Sequence, residues 1–354
     1  MFCKQYGVMA ALISALLFGL SAPLGKMLLE DMASLPLAGL LYLGCGLGLT
    51  VMTCFRRFVF RQDLSCVESK LRGMDYLYLG GAVLAGGVTA PILLLQGLLI
   101  IPAGNAALLL NSEAVLTVLI AALIFREPVT KWVWGAFLCM LFAAFVLTIR
   151  VDAVSLQAEP GTVLIVLACL MWALDNNLTR NIAHRDPVFI ARFKGLAAGT
   201  TVLSAGLLMG DPIPPVEAGL MALLLGAFSY GASLVLFIHA LRYLGTARTV
   251  IYFSAAPILG ALASILILAE PVTPMLLLAA AVTVCSVVFL MRENHDHEHV
   301  HEAVFHEHRH IHDEHHQHEH TDVWREPHSH GHLHGPLVHS HAHTPDLHHL
   351  HRHG

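Results

Sequence analysis

Glu113 and Asp175 each stand inside a long apolar run, and His239 stands near the end of another. An acid at such a position costs about 2.5–3.5 kcal/mol on insertion scales and is tolerated where it faces a bundle interior or a water-filled cavity. Groups of this kind can bind a polar solute or carry a proton. The amides beside them add donors and acceptors: Asn111 lies two residues before Glu113, Asn176 and Asn177 follow Asp175, and Gln96 ends a further apolar run. Trp172 and Tyr252 supply flat faces on which a solute could stack. Each residue has a plainer reading. Glu113 could be a protonated carboxyl bonded to the next helix, and Asp175 could pair with Arg180 or Lys194 to stitch helix ends together. His239 could be a solvated terminal histidine, and the two aromatics could serve packing.

A second set of chemical groups lies beyond residue 293. Of the 25 histidines, 23 fall between His295 and His353. Many alternate with other residues, as in His295, His297 and His299, in His306, His308, His310 and His312, and in His328, His330, His332 and His334. Neutral imidazoles at this density, with Asp and Glu among them, suit zinc, nickel, cobalt or copper(II). Their irregular spacing points to many exchanging sites rather than one closed tetrahedral site. The segment has too few apolar residues to bury a core, so it is expected to be disordered without a ligand. A solubilising tail or pH sensor is the other reading, because imidazoles take up protons below about pH 6.5.

The elements that position these groups follow from composition. Apolar residues make up 56% of 354 positions and charged residues 13%, where a soluble chain carries about a quarter charged. The apolar runs are each about 20 residues, enough to cross a hydrocarbon core of roughly 30 Å. Ten spans are expected at 7–29, 34–55, 74–97, 103–124, 131–149, 161–180, 188–209, 217–241, 247–268 and 273–291. With the N-terminus in the cytoplasm, 15 of the 20 lysines and arginines fall in cytoplasmic segments. Only Lys26 and Arg150 fall outside, and Arg309, Arg325 and Arg352 lie in the tail. Positive residues are retained inside, so both termini are expected to be cytoplasmic, in a multi-pass plasma (inner) membrane protein. The seven cysteines are scattered without framework spacing, which predicts neither a disulfide scaffold nor a zinc site.

Residues 96–130 and 239–273 match without a gap at a shift of 143, and both copies end in Glu-Pro-Val-Thr, at Glu127 and Glu270. Gln96 and His239 align under that shift. Five spans per copy is an odd number, so the second copy must be inverted relative to the first. The fold expected is an all-α polytopic membrane protein of ten transmembrane helices in two inverted five-helix repeats, 7–150 and 160–292, with the His-rich tail at 293–354. Inverted repeats are a carrier architecture, with the site near mid-membrane between halves.

On these residues the sequence resembles the EamA family of the drug/metabolite transporter superfamily. The resemblance rests on the duplicated apolar-run-then-Glu pattern, Ala121 to Glu127 and Ile265 to Glu270. It rests also on an aromatic in the first span of each repeat, Phe18 before Gly19 and Trp172 before Ala173. It implies a secondary carrier whose cavity is lined by the first, third, fourth, sixth, eighth and ninth spans, which include the candidates above. Departures are Ser112-Glu113-Ala114 where the second copy has Ala255-Ala256-Pro257, the run Asp175-Asn176-Asn177, and the tail.

Three functions stay open at this point. One is a secondary active carrier, expected to export a small organic metabolite. Another is a carrier for nickel, cobalt or zinc loaded by the tail, and the third is a membrane-anchored metal store. No nucleophile–base constellation, P-loop or dinucleotide fingerprint is present, so neither an enzyme nor an ATP-driven pump is expected. No cofactor is expected to be required. The expected partners are the lipid bilayer and a small-molecule or metal-ion substrate, with pairing into a homodimer left open and no nucleic acid.

Overall fold

The computed structural model describes residues 2–59, 71, 73–125, 131–148, 159–182, 186–244, 252–253 and 255–291. In the tail it describes the backbone of 295–301, 304–310, 328–334 and 337–343. The Glu127 copy of the tetrapeptide, Arg150, Arg185, His312 and the side chains of Arg180 and the tail histidines lie outside the described residues.

The first half builds five spans. They are α1 (Phe2–Gly19) with α2 (Ser21–Leu28), then α3 (Ser34–Val59), then α4 (Asp75–Ala82), a π-helical turn (Val83–Thr89) and α5 (Ala90–Ile100). The fourth is split into α6 (Ala103–Leu109) and α7 (Ser112–Phe125), and the fifth is α8 (Lys131–Thr148). The second half repeats the scheme with α9 (Pro160–Arg180) and α10 (Pro187–Leu208). Its eighth span joins α11 (Val216–Leu225), a π-helical turn (Gly226–Ala232) and α12 (Ser233–Leu244). The ninth span is helical over α13 (Ala256–Leu268), and the tenth is α14 (Pro274–Met291). Helices suit this setting because their backbone groups are satisfied within the segment, where lipid offers no partners. Prolines stand at the starts of α9, α10 and α14, where a missing N–H costs nothing.

Six of these helices are long and apolar enough to cross a membrane whole: Gln5–Leu28, Ser34–Phe55, Asp75–Ile100, Pro160–Thr179, Val188–Leu208 and Val216–Ala240. Trp134–Leu147, Ala256–Leu268 and Pro274–Phe289 are shorter apolar helices, and the fourth span is interrupted at Leu110 and Asn111.

The duplication is visible in the backbone. The two π-helical turns are related by the same shift of 143 that aligns the sequence copies. The fourth span restarts at Ser112, and its counterpart α13 begins at Ala256, one residue past the equivalent position. Pairings follow the same exchange. The first span packs on the eighth and ninth, the sixth packs on the third and fourth, the second packs on the seventh, and the fifth packs on the tenth.

Glycines make the second–seventh contact close enough to lock the halves together. A Cβ on Gly195 would lie 2.6 Å from the Gly46 nitrogen, and a Cβ on Gly46 would lie 2.7 Å from the Leu196 nitrogen. Gly199 likewise faces the Leu43 backbone, so Gly195 and Gly199 form a small-residue ridge at i, i+4. Such ridges let helix backbones approach where lipid offers no hydrophobic drive.

In the tail, where no regular structure is expected from sequence, the backbone runs as two antiparallel pairs. His295–His301 pairs with Leu337–His343, and Val304–His310 pairs with His328–His334. The alternation of histidine with other residues has the period of two that a strand presents.

Candidate functional site

The break in the fourth span decides where Glu113 stands. α6 ends at Leu109, and α7 opens at Ser112, which puts Glu113 in the first turn of a helix that starts inside the membrane-crossing length. The first N–H groups of such a helix carry partial positive charge, which favours a carboxylate there. Proline does the equivalent job in the second half, where Pro257 sits at the start of α13.

Glu113 is bridged to the other half of the molecule. The Asn176 amide donates to Glu113 Oε1 at 2.8 Å and reaches Thr117 Oγ1 at 3.3 Å. Next to it, the buried Asn177 donates to the Thr117 carbonyl at 3.1 Å and to the Ala173 carbonyl at 2.8 Å. The fourth and sixth spans are therefore joined by side-chain amides rather than by apolar packing alone. Glu113 is half-buried and Asn176 is exposed, while Asp175 and Asn177 are buried.

Asp175 points the other way along α9 and is neutralised. Lys194 on α10 donates to both carboxylate oxygens, each at 2.6 Å, and Thr179 Oγ1 donates to Oδ1 at 2.9 Å. Gly86, in the first π-helical turn, lies directly against this carboxylate, where a Cβ would collide with it. The Gly86 carbonyl accepts two side-chain donors, Tyr42 OH at 2.5 Å and Trp172 Nε1 at 3.0 Å. Trp172 Nε1 also reaches Tyr42 OH at 3.3 Å. A π-helical turn shifts the backbone hydrogen-bond pattern by one residue, and single turns of this kind are frequent at functional sites. Here it joins the second, third, sixth and seventh spans through one carbonyl and one ion pair.

The structure thus brings Glu113, Trp172, Asp175, Asn176 and Asn177 together, and it places Gln96, His239 and Tyr252 in other contacts. Asn111 is buried two residues from Glu113, and its Nδ2 finds no partner among the described residues. Gln96 donates to Ser34 Oγ at 2.6 Å, tying the third span to the start of the second. His239 stacks edge-on against Tyr6 at 6.3 Å between ring centroids, and Tyr252 packs with Ala10, Ala11 and Ala240. Sequence reading does not find Tyr42, Gly86, Thr117 or Thr179. It offers Lys194, beside Arg180, as a partner for Asp175, and the structure makes the lysine pairing.

Glu270 holds a different junction. Its two oxygens accept from Ala103 N at 2.7 Å and Gly104 N at 2.8 Å, capping α6. Lys26 Nζ stands 3.7 Å from the same carboxylate and donates to the Ile101 carbonyl at 2.6 Å. First span, fourth span and the ninth–tenth junction are pinned at one end of the bundle.

Among the described residues, no group of three His, Cys, Asp or Glu side chains could hold a metal ion. The cysteines at 45, 54, 139, 169 and 285 are free thiols.

The profile of the EamA-like transporter family matches this sequence twice, over residues 5–149 and 159–292. The chain belongs to the EamA-like transporter family. A relative from Methanothermobacter thermautotrophicus (strain ATCC 29096 / DSM 1053 / JCM 10044 / NBRC 100330 / Delta H), described as an uncharacterized transporter, is 31% identical over 279 residues. That alignment covers 76% of this chain and 81% of the relative. A solved structure, titled only as the crystal structure of a protein, superimposes with a TM-score of 0.59 at 17% identity. It covers 81% of this chain and 97% of that one, a likeness that shows the fold alone. This EamA protein is therefore a membrane transporter of the drug/metabolite type, built from apolar helices.

Proposed function

We propose that this EamA protein is a secondary active carrier that exports a small organic solute by alternating access between its halves. The observation that carries the reading is the amide bridge from Asn176 in the second half to Glu113 in the first, beside a break in the fourth span. Discontinuous helices of this kind mark substrate sites in inverted-repeat carriers. The Glu270 clamp at one end also crosses between the halves, with Lys26 and α6 in the first and Glu270 in the second. Rocking one half against the other would break such contacts at one face while others close the opposite face.

The orientation proposed places both termini in the cytoplasm of a plasma-membrane protein, on the lysine and arginine bias. A reporter fused after Gly73 should then read cytoplasmic and one fused at Asp211 external. The opposite pattern would reverse the orientation.

The tail is proposed as an accessory that binds Zn, Ni, Co or Cu ions and is not required for the carrier to work. Solute counterflow into proteoliposomes, with the full chain and with a chain ending at Arg292, tests the reading. Counterflow of an organic solute should survive the truncation. Loss of all transport on truncation, with only metal retention by the full chain, would favour the anchored store instead.

A further inference from the structure

Of the three acids that hold these junctions, two are matched to cations. Asp175 is held by Lys194, and Glu270 by Lys26. Among the described residues, Glu113 receives the neutral amide of Asn176, and no cation lies within ion-pair distance of it. The Asp175–Lys194 pair is internally neutral, so with Glu113 ionised the site between the fourth and sixth spans carries one negative charge from its own residues. That charge is half-buried in the membrane-crossing region, next to an exposed amide. A carboxylate in such a place is expensive unless something positive meets it.

The wall beside it is aromatic. Phe18 stands 6.2 Å from Tyr230 and 5.6 Å from Phe253, ring centroid to ring centroid. Tyr230 in turn stands 5.5 Å from Tyr42, whose hydroxyl meets Trp172 Nε1 at 3.3 Å. The rings form one continuous row across the first, second, sixth, eighth and ninth spans. Trp172 brings the row to the acid, because it stands one helical turn before Asn176 on α9, and Asn176 donates to Glu113. Phe18, Tyr230 and Phe253 are half-buried, so part of each ring is uncovered. Ring faces carry negative charge density and attract ammonium or delocalised cations. A row of ring faces ending on an unmatched carboxylate discriminates against anions twice over and offers an uncharged solute nothing that the charge needs.

We infer that the solute this EamA protein takes is a monovalent organic cation. Its charge would be met by Glu113, and its apolar body would lie along Phe18, Tyr230 and Phe253. This rests on the carrier reading above and narrows it to one substrate class.

The test uses the full chain in nanodiscs and three probes of one shape. Benzyltrimethylammonium is the cation, neopentylbenzene its uncharged isostere, and phenylacetate an anion bearing the same ring. Binding is read by intrinsic fluorescence and by displacement between probes. Benzyltrimethylammonium should bind, and neither the isostere nor phenylacetate should displace it at about a hundred-fold excess. Tyr230→Leu and Phe18→Leu, which keep apolar bulk, should each weaken the cation at least three-fold. The same ring replacements should leave the melting temperature within a few degrees of the parent. Equal binding of the isostere, or preference for phenylacetate, overturns the cation assignment while leaving a carrier of another solute standing. Failure of all three probes to bind overturns the assignment as well. Failure of any organic solute to show counterflow, by contrast, removes the carrier reading beneath it.

Discussion

Transport by Glu113→Gln should fall at least ten-fold while the protein inserts and folds as before. Gln keeps the length of the side chain and an oxygen for the Asn176 amide, now at 2.8 Å from Glu113 Oε1. What it removes is the charge. A hydrogen bond or contact to a charged group is worth roughly 1.5–3 kcal/mol, about 10- to 150-fold in an equilibrium constant. The same substitution removes an acid that costs about 2.5–3.5 kcal/mol to place in a span. Stability should therefore hold or rise as transport falls, and that opposition separates a working carboxylate from a structural one. Glu113→Asp, which retains the charge on a shorter arm, should recover part of the rate. Initial rates of uptake into proteoliposomes, together with melting temperature in detergent, measure both. Unchanged transport in Glu113→Gln would make this carboxyl a packing group.

The duplication was legible because it is written in length and spacing. Ten apolar runs, a shift of 143 and a repeated Glu-Pro-Val-Thr are counted directly in the chain, and the two π-helical turns fall on the same shift. The split of the fourth span was not legible, since Leu110-Asn111-Ser112 contains no proline or glycine to announce it. Its counterpart carries Pro257, a residue that marks a helix start, and α13 begins there. The candidate site divides in the same way. Glu113, Asp175 and the following asparagines stand out because polar groups in apolar runs demand a reason. Tyr42 and Gly86 do not, because a tyrosine and a glycine are ordinary residues of a span. Their role arises only when two helices bring a hydroxyl to a carbonyl freed by a π-helical turn. His239 and Tyr252 went to the separate Tyr6–Ala240 region because alignment of the copies preserves depth along a span and says nothing about which way a side chain faces. Glu270 is legible only as the acid that opens the second copy of the repeated tetrapeptide. It caps α6 across the repeat boundary, and it explains how Lys26 is tolerated where few positive residues stand.

The Asp175–Lys194 pair should show a large coupling when it is taken apart. Each side chain is mostly buried, at 7% and 17% exposure, and the lysine meets both oxygens at 2.6 Å. Removing one member leaves the other charged and desolvated. That loss costs about 3–5 kcal/mol in buried pairs, whereas replacing both members by neutral groups is close to neutral or stabilising. Asp175→Asn leaves the ammonium without its counter-charge. Lys194→Met leaves the carboxylate with the Thr179 hydroxyl as its remaining donor among the described residues. Each single variant should therefore lose stability by about the cited amount, and D175N/K194M should recover most of it. Unfolding midpoints of the four proteins in one detergent give the coupling directly. Single variants as stable as the parent would show that the pair does not hold the sixth and seventh spans together. Transport by the double variant then tells the role of the charges. Gly86 forbids any bulk between this pair and the π-helical turn, so the two replacement side chains must occupy the space of the originals. With packing and stability kept, a rate equal to the parent's would make the pair a fastening. A rate at least ten-fold lower would place its charges in the transport cycle.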